Sequence, residues 1–186
     1  MARPTAPRAA LAAVAAAAAL AGCGGGSDKV ASAPAASAPA GLRITSTALR
    51  PNGTIPTRFT CAGAGDRPAL RFGGIPAAAK EVALLVIDPD AGGFVHWTVY
   101  GMAPDTKGIA ATGLPAGARE GSNTSGGKGW TPPCPPSGTH RYQFDLYWLR
   151  SPSKLAAGAD PQKVVDAVRG AAGGRGELIG RYGKSG

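Results

Sequence analysis

Hydrophobic positions along the chain fall into short runs with the period of β-strands rather than the stripe of long helices. Val82 to Ile87 is an unbroken apolar run with the length and β-branched content of a buried strand, and it stops at Asp88-Pro89-Asp90, where a proline ends the ladder. A short link, Ala91-Gly92-Gly93, leads into a second strand, Phe94 to Met102, whose alternation predicts Val95, Trp97 and Val99 on one face and His96, Thr98 and Tyr100 on the other. With so short a link, Asp88 and His96 are expected to converge at the rim of one sheet.

The alternation resumes at His140, after a lead-in, Pro132-Pro133-Cys134-Pro135-Pro136, that cannot be helix. His140, Tyr142, Phe144, Leu146 and Trp148 share one face; Arg141, Gln143, Asp145 and Tyr147 share the other. Earlier, Leu42-Arg43-Ile44 reads as an edge strand, Pro56 to Thr60 as a second short strand and Ala69 to Phe72 as a third, with Asn52-Gly53 as a turn. Between Pro104 and Thr139 lies a long loop of Gly, Ser, Thr and Pro. Asp160-Pro161 supplies the N-cap and first residue of one short helix, with Val164, Val165 and Val168 as its apolar stripe and its end near Gly170. Leu178, Ile179 and Tyr182 suit a last strand or a packed tail. Together these elements predict a mostly β fold.

The N-terminal residues have a different pattern. Arg3 and Arg8 precede an apolar stretch, Leu11 to Leu20, and the small-residue site Leu20-Ala21-Gly22-Cys23, so residues 1–22 read as a signal peptide too short to span a membrane. Leu-Ala-Gly-Cys resembles the bacterial lipobox, which implies cleavage before Cys23 and a lipid on its sulfur; an ordinary secretory signal with an incidental Cys is the alternative. Residues 23–41, almost all Gly, Ala, Ser and Pro, read as a flexible tether, and 42–186 as the domain. The expected location is the extracytoplasmic face of a bacterial membrane, held by the lipid anchor.

Composition adds to this in three places. With 29 Gly and 17 Pro the chain is turn-rich. The formal charge is +9; without Arg3 and Arg8 it is +7, and the basic residues are scattered singly with no interleaved aromatics. That argues against nucleic acid and for attraction to anionic surfaces or ligands. Apart from Cys23 there are two cysteines, Cys61 and Cys134, expected to form a disulfide in an exported domain; two free thiols as metal ligands is the other reading.

Asp88-Pro89-Asp90-Ala91, then His96-Trp97, then Pro135-Pro136-Ser137-Gly138-Thr139-His140-Arg141-Tyr142 resemble the signature of the phosphatidylethanolamine-binding protein family. Thr60-Cys61-Ala62-Gly63, Cys134-Pro135-Pro136 and Glu177-Leu178-Ile179-Gly180-Arg181-Tyr182 resemble its bacterial Raf kinase inhibitor-like branch. The resemblance implies a β-sandwich with a large antiparallel sheet, a smaller sheet and one or two short helices. It also implies a small pocket for anionic or phosphate-bearing ligands, lined by Asp88, Pro89, Asp90, His96, Pro136, His140 and Tyr142. Where the family usually continues Asp-Pro-Asp-Ala with proline, this chain has Gly92-Gly93, which implies a wider or more mobile pocket mouth.

The residues alone agree on the chemistry: imidazoles, a phenol and free backbone N–H groups are the donors an anion needs, and a carboxylate beside an imidazole fixes its tautomer. The expectation is a binding protein and not an enzyme, with no cofactor, that takes a phospholipid headgroup or a similar ligand and inhibits a partner enzyme such as a kinase or protease. Two alternatives stand: a metal-dependent hydrolase using Asp88, Asp90, His96 and His140, and an envelope interaction protein with a vestigial pocket. Ser137 lacks the Gly-x-Ser-x-Gly elbow and reads as a turn serine.

Overall fold

The computed structural model describes residues 41–183, so the leader, Cys23 and nearly all of the tether lie outside the described residues. Eight strands and one helix follow in order: β1 Arg43–Thr45, β2 Leu70–Gly73, β3 Glu81–Asp88, β4 Phe94–Met102, β5 Gly108–Ile109, β6 Arg119–Glu120, β7 Thr139–Leu149, α1 Pro161–Ala171 and β8 Ala172–Gly183. They form a three-stranded sheet, β1-β2-β5, and a five-stranded sheet, β6-β4-β3-β7-β8, with every pairing antiparallel. The fold is mostly β, as the pattern predicts.

β3 is central and buried along its whole length because both of its faces are covered. On one face Val82, Leu84 and Val86 meet Ile44, Leu70, Phe72 and Ile109 from the smaller sheet, with Phe144 and Leu146 of β7 beside them. On the other, Ala83, Leu85 and Ile87 meet Val164, Val165 and Val168 of α1. That helix starts where the sequence places it: the Asp160 side chain accepts from the Lys163 N–H at 3.1 Å, with Pro161 in the first turn.

The structure overturns three sequence expectations. The stretch from Pro104 to Thr139 is not one loop but holds β5 and β6, two-residue strands made by backbone pairing with β2 and β4 and too short to show a side-chain period. Pro56 to Thr60 is no strand: Thr57–Phe59 is a 3-10 turn, closed by Phe59 N–H to Pro56 O at 2.9 Å and Thr60 N–H to Thr57 O at 2.9 Å. Its apolar content serves one inward residue, Phe59, and not a face. The period-2 reading of Phe94–Met102 fails at His96. Val86 pairs with Trp97 while Ile87 pairs with Val95, so His96 is the extra residue of a β-bulge. As a result Val95 packs on the helix side while Trp97 and Val99 pack between the sheets. A second register shift lies between Val82 and Leu84, opposite a stretch of β4 holding Gly101, whose φ of +74° suits only glycine without strain.

Cys61 and Cys134 form the expected disulfide, with Cα atoms 5.3 Å apart and a sequence separation of 73. A closed loop of that length removes about 4 kcal/mol of chain entropy from the unfolded state in the loop-closure account. The loop between β6 and β7 is ordered by its own bonds and by β4: Asn123, buried, donates to Gly129 O and accepts from Gly127 N–H, and Thr124 exchanges two hydrogen bonds with the Val95 backbone.

Candidate functional site

The site is built where β3 ends. Asp88, 2% exposed, caps the 3-10 turn Pro89–Ala91: its Oδ1 accepts from the Asp90 N–H at 2.9 Å and the Ala91 N–H at 3.1 Å. Gly92 and Gly93, at φ +66° and +84°, then turn the chain, and the Gly93 N–H returns to Asp88 O at 3.1 Å. These are left-handed positions that glycine takes without strain. β7 lies beside β3 in a register that opposes Ile87 to Gln143, so His140, at the start of β7, reaches back over the turn. Its Nδ1 lies 2.7 Å from Asp88 Oδ2. A carboxylate accepts only, so that nitrogen carries the hydrogen and Nε2 is left free.

His96 is fixed the same way by a different partner. Its Nδ1–H donates to the Thr131 carbonyl at 2.8 Å, and its own carbonyl accepts from the Thr131 N–H at 2.9 Å. The bulge turns its ring toward Tyr142, edge-on at 5.1 Å, with Phe94 at 4.7 Å. Burial lowers the His96 pKa, against the raising effects of the Thr131 carbonyl and Asp88, so the neutral ring is favoured. With Nδ1 protonated, Nε2 then carries a lone pair. Tyr142, buried, has its phenol pushed up first by desolvation and then by Asp88, and so keeps its O–H.

These groups surround one cavity of about 270 Å³. Asp88, His96, Pro136, His140 and Tyr142 line it; Pro89 and Asp90 do not. Pro89 starts the turn from outside. Asp90 faces Arg141, accepting its backbone N–H at 2.8 Å and its Nε–H at 2.9 Å, and this guanidinium holds the Asp90 carboxyl far below the usual carboxylate range. The pair ties the turn to β7. Of the four side chains considered for a metal, Asp90 is thus engaged elsewhere, and among the described residues no group of three or more His, Cys, Asp or Glu side chains is placed to hold one.

The remaining wall contains residues that pattern reasoning did not find. Ser125, Thr131 and Pro132 come from the long loop and Phe94 and Ala91 from the turn, while Cys134 and Pro135 place the disulfide at the cavity's edge. The proline run is the one signal for them. Ser125 and Thr131 carry none, because their place follows from the loop's attachment to Val95 and His96.

The model of the phosphatidylethanolamine-binding protein family matches residues 45–183. The chain belongs to the phosphatidylethanolamine-binding protein family. Among relatives, a UPF0098 protein of Methanothermobacter thermautotrophicus is 40% identical over 148 residues, covering 76% of this chain and 98% of that one. The candidate lipoprotein LppC of Mycobacterium tuberculosis is 38% identical over 181 residues, covering 87% of this chain and 88% of its own. Two crystal structures share the phosphatidylethanolamine-binding protein fold. The homologue CT736 of Chlamydia trachomatis superposes with a TM-score of 0.72 at 33% identity, over 78% of this chain and 99% of that one. YbcL of E. coli does so with 0.74 at 26% identity, over 78% and 100%. No helix among the described residues is long and apolar enough to cross a membrane.

Proposed function

We propose that this chain is a non-catalytic binding module, lipid-anchored through Cys23 on the extracytoplasmic face of a bacterial membrane. It takes a small phosphate-bearing ligand, a phospholipid headgroup or a free phosphoester, in the cavity at the ends of β3 and β7, and so acts as an inhibitor of a partner enzyme. The observation that carries the ligand reading is the pair of imidazoles, each with Nδ1 held by a protein acceptor and each lining the same cavity beside the Tyr142 phenol. Two fixed rings and one fixed hydroxyl match the several oxygens of a phosphate, and about 270 Å³ holds a headgroup rather than acyl chains. Similarity to a candidate lipoprotein along most of the chain supports the anchor.

The protonation states specify the form of the ligand. Tyr142 donates and His96, neutral, accepts through Nε2, while His140, held by Asp88 at Nδ1, presents its Nε2 to the same cavity. A phosphomonoester that still carries one proton satisfies both roles, and that monoanion is favoured below its second pKa of about 6, whereas a diester headgroup has no P–OH and meets only the donors. Affinity is therefore expected to fall as pH rises from about 6 to about 8. NMR titration of the protein with phosphoethanolamine and with inorganic phosphate at both pH values, following the His96, His140 and Tyr142 signals, tests this. Saturable shifts at all three residues, larger at the lower pH, are expected. His140→Ala should weaken binding at least tenfold, or about 1.4 kcal/mol; unchanged affinity would refute the site.

A further inference from the structure

Trp148 sits at the far end of β7 from the cavity and belongs to neither apolar core. It is half-buried, and its ring lies flat on the backbone of Gly173 and Gly174, where a Cβ on either glycine would run into the indole. Arg150 stands over the same ring at 5.8 Å. Two residues farther along β8, Gly176 lies against the carbonyl of Leu42, next to Gly41, the first described residue. Gly41 and Leu42 therefore lie at the Trp148 end of the domain.

The exposed charges at this end are mostly basic, and the exposed acid, Glu177, is paired with Arg175. Arg43, Lys80 and Arg150 are exposed there, the last two placed by their backbone N–H groups, which donate to Leu149 O and Ala171 O. Glu81, also at this end, is buried and consumed by the Gly101 N–H and by the Ser153 N–H and hydroxyl. Glu177 and Asp145 are held by Arg175. A half-buried indole with arginine against it and further exposed basic residues at the same end is the composition that settles at the level of lipid headgroups, where an anionic leaflet attracts the basic side chains.

We infer that this end of the domain, centred on Trp148 and carrying Arg43, Lys80 and Arg150, docks on the anionic phospholipid leaflet that holds the anchor. The inference rests on the lipid anchor proposed above. It sets the direction of the cavity. His140 and Trp148 are eight residues apart on β7, roughly 26 Å at about 3.3 Å per residue, so a docked domain holds its binding site away from that leaflet.

The test uses the mature lipidated protein in vesicles of phosphatidylcholine with phosphatidylglycerol, and in vesicles of phosphatidylcholine alone. Both carry lipid brominated near the headgroup, and flotation and tryptophan quenching are read together. Quenching is expected in the anionic vesicles, reduced by raised salt and small in the neutral ones, and lost in Trp148→Phe, which keeps an aromatic ring over the glycines. Arg150→Glu combined with Lys80→Glu, at exposed positions, should at least halve it. Flotation without quenching, or quenching that survives Trp148→Phe or both charge reversals, overturns the docking and leaves the anchor standing. Failure of the wild type to float overturns the anchor and the docking with it.

Discussion

Among the described residues the two most deeply buried carboxylates lie in the same sheet, Asp88 at the end of β3 and Asp145 in the middle of β7, at 2% and 1% exposure. Asp88 meets three donors, two backbone N–H groups and the His140 ring, and all lie within 3.1 Å. Asp145 has an Oδ1 with no partner, and its Oδ2 meets Arg175 only at 3.4 Å. Desolvation pushes the Asp145 pKa up to about 6, with Arg175 pulling the other way. Burial is therefore not what separates them. The number of donors converging on the charge decides whether a buried carboxylate organises a site or merely strains the core.

The largest expected effect breaks the first of the pair. Asp88→Ala leaves two N–H groups of the turn unpaired and frees the His140 ring, and should cost about 3 kcal/mol in urea unfolding at neutral pH. A loss near zero would mean that the turn holds itself and that Asp88 organises nothing. The opposite sign is expected at the other carboxylate. Between the unfolded value of 3.8 and about 6 the folded chain keeps a proton on Asp145 that the unfolded chain has lost, so stability falls as pH rises through that window and the penalty is complete above it. Asp145→Asn removes the penalty and should stabilise the protein by about 1 to 2 kcal/mol at alkaline pH and hardly at all near pH 4. Equal effects at both pH values would show that Asp145 is not raised. The smallest effect belongs to Arg175→Ala. Its guanidinium is partly exposed, so the loss should be below about 1 kcal/mol above pH 6 and should vanish once Asp145 is protonated.

The difference between the two carboxylates also marks what a sequence discloses. Asp88-Pro89-Asp90 was legible as a site because an apolar run ends there in charge, and a strand end is where a side chain can be exposed to a ligand. Asp145 gave no such signal: it alternates properly within a strand, and only packing α1 over that face buries it. The same reasoning explains Asp90. Its place in the motif assigned it to the cavity, yet Arg141 draws it to the outer side of the turn, an ion pair that depends on the register of β7 against β3.

The sequence by itself determined the long strands, the helix and its cap, the disulfide and five of the residues around the cavity, since period, proline, glycine and capping chemistry act over a few residues. Only the tertiary structure decided which way His96 points. One extra residue opposite Val86 and Ile87 reverses the side on which every earlier position of β4 lies, and that insertion shows only once the two strands are paired. Tertiary structure likewise brought Thr131 to His96, placed Ser125 in the wall and set Trp148 against Gly173 and Gly174. Each of these is a contact between segments far apart in the chain, fixed by closure of the fold rather than by the local pattern of residues.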